Sequence, residues 1–219
     1  VFFDEEVHNI KRSFNISLAK AIRSAGLDHL KYEAMCEYAS LDEEALEAMV
    51  SAGYYKIRFG IETGSDKVAA KMTLGKKHDL DKLRSMVKFG KSLGMLFYGT
   101  ISIGGLGSSR EEDQKTVDLV YEMASKGWLD EIQVSINTPQ PGTDFYNSCM
   151  EESLLHTSTS WEGFDGNGQV VVHYPHYPAE EIQANFKKAL SAFDLGKEKA
   201  QSRAFSNTAK SSFNLIPDG

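Results

Sequence analysis

The chain repeats one order of elements four times: a short apolar run with β-type alternation, then an amphipathic helical segment that a glycine ends. Those glycines are Gly26, Gly53, Gly94 and Gly127. Strands that alternate with helices form parallel sheets, because each helix returns the chain to the start of the next strand by a right-handed crossover. The pattern predicts an α/β fold, and an open doubly wound sheet and a barrel both satisfy it.

The predicted elements follow from local signals. Ser40 with Glu43, and Ser109 with Glu112, have the spacing of capping boxes, and Ser65 is placed to cap a short helix. Strands are predicted at residues 1–3, 30–36, 54–62, 95–103 and 131–137, and the main helices at 13–24, 41–52, 79–93 and 110–126. The first helix is predicted to bury the side that carries Phe14, Leu18, Ala21 and Ile22.

From residue 151 the alternation stops. Residues 170–178 are predicted to form a short β run that prolines end, and residues 179–201 a long helix followed by a frayed tail. We expect residues 151–219 to form an accessory cap on a main layer made by residues 1–150.

Composition excludes several classes of protein. The 219 residues carry a net charge of -7 without a basic block, which argues against a nucleic-acid surface, and no apolar stretch is long enough for a membrane span. Two distant cysteines favour a reducing, cytoplasmic setting. The chain begins with Val1 inside an apparent strand, so we expect it to be part of a longer protein.

Glu62 is the first candidate functional residue, because a charged group at the carboxyl end of a strand is where α/β barrels place their chemistry. The alternative is a solvated strand-end carboxylate. Other polar groups should share that edge, since carboxyl ends of parallel strands meet there: Asp4, Glu37, the glycines after Ile103, and Asn137 with Pro139.

Other motifs give weaker indications of function. The run IGGLGSS lacks the lysine of a P-loop and the third glycine of a dinucleotide fingerprint. His173 and His176 have no third ligand nearby, and Cys36 and Cys149 are predicted to be buried thiols.

Six strings, taken in order, resemble the radical S-adenosylmethionine enzymes, in the branch that often carries a cobalamin-binding domain. The strings are FFDEE, the run from YEAMCEY to GIETGSDKV, LGKK, the SLGM-to-IGG strand, TPQPGTDFY and WEGFDG, and together they cover about residues 1–193. The resemblance implies a partial TIM-like (βα)6 barrel that binds S-adenosylmethionine and a [4Fe-4S] cluster, with cobalamin as a possible third cofactor.

The resemblance also implies a set of cofactor-binding residues. Glu62 would lie near the ribose of S-adenosylmethionine, the run 103–107 near the adenine, and residues 137–143 on the last strand's loop. The full implied set is Gly60, Glu62, Ser102, Gly104, Gly105, Asn137 and Pro139. A carboxylate can accept two hydrogen bonds from ribose hydroxyls, and glycines let a flat ring approach the backbone.

Four departures from the family pattern shape the expectation. The CxxxCxxC motif and the first strand are absent and would lie upstream, GGLGSS replaces a glycine-proline-glycine turn, and Glu37 stands where the family has an arginine. We therefore expect the carboxyl-terminal part of an enzyme that is inactive alone and acts on a small molecule by hydrogen abstraction or methyl transfer. The alternatives are a non-catalytic scaffold domain and a metal-independent enzyme with Glu62 as general base, assisted by Asp4 or Glu37.

Overall fold

Five parallel strands form one sheet in the order β1-β2-β3-β4-β5 in a computed structural model that describes residues 1–72, 78–155, 161–165 and 169–213. The predicted alternation of strand and helix is confirmed. The elements are β1 (Phe2–Phe3), α1 (Arg12–Ser24), β2 (Tyr32–Cys36), α2 (Glu43–Ser51), β3 (Tyr54–Glu62), α3 (Asp66–Lys71), α4 (Leu80–Ser92), β4 (Leu96–Ile103), α5 (Arg110–Ser125), β5 (Glu131–Ile136), α6 (Asp144–Glu151) and α7 (Ala179–Phe213).

The two faces of the sheet differ in character, as β3 shows. Ile57, Phe59 and Ile61 are fully buried in the core against the helices. Because side chains alternate along a strand, the residues between them lie on the opposite face, where Lys56 and Arg58 pair with Glu33 of β2. The sheet therefore has an apolar outer face under the helices and a polar inner face.

Side-chain caps fix where most helices begin. Ser65, Asp79 and Ser109 each accept the backbone N–H three residues on, which confirms these predicted helix starts. The prediction for Ser40 is wrong. Residues 38–40 form a 3-10 turn, and Asp42 caps α2 by accepting the N–H of Ala45 at 2.9 Å.

Two further predictions need correction, and one helix was not predicted. The buried side of α1 is Asn15, Ile16, Ala19 and Ile22, while Phe14 is exposed, because the helix turns its apolar stripe toward α2. Helix α6 was not predicted. The expected β run before α7 makes only isolated antiparallel bridges, at Val172 and Tyr174, because prolines interrupt it.

The long helix α7 lies along α5. A Cβ on Gly196 would come within 2.6 Å of Ala124 Cβ and 2.9 Å of Ser125 N, so the absence of a side chain there allows the two helices to approach closely. The helix continues beyond the predicted end at residue 201 to Phe213. The string LGKK, the side chain of Trp161 and the residues after 213 lie outside the described set. Among the described residues, no helix is long and apolar enough to cross a membrane.

Candidate functional site

A cleft of about 430 Å³ opens at the carboxyl ends of β1, β2 and β3. Part of the set predicted to meet at this edge lines the cleft: Asp4, Glu37 and Glu62, together with Gly60 and Thr100, whereas Asn137 does not. The side chain of Asn9 holds Glu37 in place, since its amide donates to the Glu37 carbonyl at 2.9 Å and its oxygen accepts the Glu37 N–H at 2.8 Å.

The backbone at Glu62 is unusual. Its φ of 65° lies in the left-handed region, and the Thr63 N–H donates to the Ile61 carbonyl at 2.9 Å, two residues back. That hydrogen bond closes a γ-turn around Glu62, and γ-turns with positive φ are rare and strained. The pairing of β3 with β4 also shifts register between Gly60 and Glu62. The chain thus places a carboxylate at the cleft in a conformation that costs about 1–3 kcal/mol.

Helix α5 holds this strained turn from outside. Thr116 Oγ1 lies 3.1 Å from Thr63 Oγ1 and accepts the Gly64 N–H at 2.8 Å, and all of Thr63, Ser65 and Thr116 are fully buried. A Cβ on Gly64 would lie 2.6 Å from the carbonyl oxygen of Lys115, so only glycine fits this approach. We call Thr63, Gly64, Ser65 and Thr116 the turn clamp.

One carboxylate of α5 extends the turn clamp. The Ser65 hydroxyl donates to Glu112, whose other partner is the ammonium of Lys115 at 2.7 Å. The hydrogen bonds from Lys115 and from Ser65 lower the pKa of Glu112, so this carboxylate stays ionised and keeps accepting. The first turn of α3 is thereby tied to the first turn of α5.

Ser102 of β4 is the predicted site residue that contacts Glu62 directly. Its hydroxyl donates to Glu62 Oε2 at 3.3 Å. Gly60, Glu62 and Ser102 therefore form one group on the inner face of neighbouring strands.

The predicted glycines after β4 are in contact with other residues of the chain. The Gly104 N–H donates to Asp113 Oδ2 at 2.8 Å, and its carbonyl accepts the Tyr174 hydroxyl at 3.3 Å. A Cβ on Gly105 would lie 2.5 Å from Met72 Sδ and 3.1 Å from Asn137 Nδ2. Tight local packing thus accounts for both glycines, and a cofactor contact there stays a prediction.

Asp113, which holds the loop after β4, was not predicted from the sequence. It is 1% exposed and also accepts the hydroxyls of Ser108 and Tyr177, each at 2.9 Å, while Asn185 donates to Tyr177. Burial raises the pKa of Asp113 above its usual range. The available signal was a charged residue on the apolar side of a helix, three positions before Thr116.

A second cavity of about 390 Å³ lies beyond the ends of β4 and β5. Asn137 lines it with Met72, Leu106 and Phe145, whereas Pro139 is buried and lines neither cavity. The predicted cofactor residues therefore divide between the cleft and this second cavity.

No family model matches the chain. An uncharacterized methyltransferase of Pyrococcus horikoshii is 29% identical over 187 residues, which are 85% of this chain and 38% of that protein. The cytidylyl-2-hydroxyethylphosphonate methyltransferase of Streptomyces wedmorensis is 26% identical over 126 residues, 55% of this chain and 23% of that protein.

Solved structures match over most of the chain. The radical S-adenosylmethionine methyltransferase TsrM from Kitasatospora setae, with tryptophan substrate and a cofactor analogue bound, has a TM-score of 0.62 at 16% identity, over 82% of this chain and 35% of TsrM. The radical S-adenosylmethionine enzyme HemN, coproporphyrinogen III oxidase from Escherichia coli, has a TM-score of 0.57 at 11% identity, over 84% of this chain and 38% of HemN.

The chain has the fold of the radical S-adenosylmethionine enzymes.

The expected α/β barrel-type fold is thereby confirmed, in a chain that spans little more than a third of those enzymes' lengths. The two cysteines do not fit the iron–sulfur cluster that goes with the radical S-adenosylmethionine fold. Cys36 is buried on β2 and Cys149 on α6, and burial raises the pKa of both thiols, that of Cys149 to about 11, whereas cluster ligands are thiolates. Among the described residues no group of three His, Cys, Asp or Glu could hold a metal ion, and His176 contacts the Ser108 carbonyl at 3.0 Å.

Proposed function

We propose that the chain is part of a radical S-adenosylmethionine enzyme and that the cleft at Glu62 binds the ribose of S-adenosylmethionine. The strained γ-turn carries the proposal. A non-glycine residue at positive φ costs free energy, and a fold retains such a conformation where it serves a function. The turn clamp fixes the backbone on both sides of Glu62, so the carboxylate is in position before a ligand arrives.

The chemistry of the carboxylate suits two neighbouring hydroxyls. Each Glu62 oxygen can accept a hydrogen bond, and the Ser102 hydroxyl contacts Oε2, which fixes the plane of the carboxylate. Gly60 leaves the space two residues before Glu62 without a side chain. Asn137, Gly104, Gly105 and Pro139 are proposed to contact the adenine end through the loops after β4 and β5, with the Gly104 N–H already engaged by Asp113.

Bound S-adenosylmethionine would supply either a hydrogen-abstracting group or a methyl group. Methyl transfer is favoured by the names of the two similar proteins, both called methyltransferases, and cobalamin by the TsrM structure with cobalamin and a [4Fe-4S] cluster bound. The cluster's ligands are proposed to belong to another part of the intact protein, and a cytoplasmic location fits that oxygen-sensitive group. The small-molecule substrate would enter the inner face of the barrel.

The test is calorimetric titration of S-adenosylmethionine into the intact, anaerobically prepared protein. We expect Glu62→Gln to weaken binding about tenfold or more, since a hydrogen bond to a charged group contributes roughly 1.5–3 kcal/mol. Glu37→Gln is the matched control, because it removes a charge from the same cleft. Equal affinity for wild type and Glu62→Gln would refute the role of Glu62.

A general-base enzyme is the second candidate, because Asp4 and Glu37 line the same cleft as Glu62. Iron content separates the two candidates. About four irons per chain of the intact protein support the radical enzyme. An iron-free protein that does not bind S-adenosylmethionine supports the general base, or the scaffold domain if it is also inactive.

A further inference from the structure

Arg58 is a cation on the inner face of the sheet that two aromatic rings and a carboxylate hold in place. Its guanidinium carbon lies 4.6 Å from the ring centre of Tyr98 and 5.1 Å from that of Phe2, and its Nε donates to Glu33. Two aromatic rings and one ion pair therefore hold the guanidinium in a fixed plane. A long side chain that is already ordered loses little entropy when it binds a ligand.

The outer nitrogens of Arg58 are available as donors. Within the described part of the chain, the hydrogen bond through Nε is the one that Arg58 makes, and both terminal NH2 groups lack a protein acceptor. The Arg58 side chain is 31% exposed, so these groups are reachable. The paired terminal N–H groups of a guanidinium match two oxygens of a carboxylate or phosphoryl group.

The charged residues around Arg58 do not cover the terminal NH2 groups of its guanidinium. Glu33 is 10% exposed and already accepts from Lys56, which also contacts Glu131 at 3.1 Å. Two carboxylates and two cations therefore balance at this level of the inner face. Lys56 and Tyr55 contact the second oxygen of Glu33 at 3.3 Å each, so in this arrangement the carboxylate pairs with the Nε side of the guanidinium.

Arg58 is next to the Glu62 cleft, because one of its stacking partners belongs to the cleft wall. Phe2, which stacks on the guanidinium, lines that cleft, and Arg58 stands four residues before Glu62 on the same face of β3. At about 3.3 Å per residue the two positions are roughly 10–13 Å apart. That distance suits a small molecule whose reacting part lies near Glu62 and whose other end reaches Arg58.

We propose that Arg58 anchors the substrate through an anionic group, a carboxylate or a phosphoryl group, beside the part of the cleft wall that Phe2 forms. The inference rests on the proposed function for the identity of the reaction, but the anion site stands on its own contacts. The mouth of the cleft carries acidic side chains, so small free anions bind weakly and the anion is expected on a larger molecule whose other contacts offset that repulsion.

The test follows the Arg58 Nε–H signal by nitrogen-15 NMR of the intact protein while inorganic phosphate or acetate is added at constant ionic strength. We expect saturable shifts at millimolar anion, and the tighter of the two probes identifies the substrate group. Arg84 is the matched control, because its guanidinium is already paired with Glu122 and Asp81 on the helical surface.

Variants complete the test. Arg58→Gln should weaken anion binding about tenfold or more, and Arg58→Lys, which keeps the charge but loses the paired donors, should weaken it about threefold to tenfold. Shifts at Arg58 that do not saturate, or that match those at Arg84, overturn the proposal without any variant having to fold. These titrations contain no S-adenosylmethionine, so their result is independent of the proposed cofactor site. Anion binding at Arg58 can be confirmed while the role of Glu62 is refuted, and the role of Glu62 can be confirmed while anion binding at Arg58 is refuted.

Discussion

The turn clamp predicts a measurable coupling between Thr116 and Glu62. Thr116→Val keeps the shape of the side chain and removes its hydroxyl, so Thr63 loses one partner and the part-buried Gly64 N–H loses its acceptor. An unsatisfied buried donor costs about 1–3 kcal/mol, and the lost hydrogen bond between hydroxyls about 1 kcal/mol more. The gross loss is therefore about 2–4 kcal/mol in the free energy of unfolding.

Part of that loss should return as released strain. Without the turn clamp, the backbone at Glu62 can leave its positive φ and recover up to about 1–3 kcal/mol. Glu62→Gly removes the strain in another way, because glycine tolerates positive φ, although glycine also gives the unfolded chain about 0.5–1 kcal/mol of extra conformational freedom. Glu62→Gly also loses the hydrogen bond from Ser102, so alone it should change stability by less than about 2 kcal/mol in either direction.

The double-mutant cycle isolates the effect. Thr116→Val should destabilise a Glu62→Gly background more than it destabilises the wild type, by about 1–2 kcal/mol, because no strain remains to be released. Urea denaturation followed by circular dichroism measures the four variants, with Thr116→Ser as the control that keeps the hydroxyl. Additive free energies within about 0.5 kcal/mol would show that the turn clamp does not hold the strain at Glu62.

Two further predictions concern buried polar groups. Asp113→Asn should flatten the pH dependence of stability. Burial raises the folded pKa of Asp113 above its unfolded value, so its stabilising contribution is present in acid and is lost as pH rises through the folded pKa. Urea midpoints of both proteins from pH 4 to 8 measure this effect, and parallel curves would contradict it. Asn15→Leu should raise the free energy of unfolding by about 1 kcal/mol. Within the described residues, Asn15 Oδ1 is buried without a hydrogen-bond partner, and the amide nitrogen contacts Met49 Sδ at 3.3 Å. A lower urea midpoint for the variant would refute this account.

Local sequence signals predicted the features that depend on contacts between residues close together in the chain. The caps at Ser65, Asp79 and Ser109 depend on contacts three residues apart, and the positive φ of Gly26, Gly53, Gly94 and Gly127 follows from the way helices end. The prediction for Ser40 failed because residues 38–40 form a 3-10 turn, which places Ser40 before the helix and leaves Asp42 to cap it.

The position of Glu62 was predictable and its conformation was not. A strand followed by a capped helix put the carboxylate at the correct edge of the sheet. The γ-turn depends on Thr116, more than fifty residues away, and no local pattern reports such a contact. The same holds for Asp113, whose partners Gly104 and Tyr177 come from segments far apart in the chain, and for Arg58, whose aromatic neighbours come from β1 and β4.

The hydrogen bonds of Asp113 bear on how this protein could be dissected or recombined. A chain cut after residue 150 would lose Tyr177, Tyr174 and Asn185, and with them one of the three donors to the Asp113 carboxylate and the hydroxyl that donates to the Gly104 carbonyl. The loop after β4 would then keep its sequence but not its shape. A chimera that takes its carboxyl-terminal segment from a related protein should therefore fold only when Tyr174 and Tyr177 are combined with an aspartate at position 113. The segments before and after residue 150 are thus expected to be inherited together.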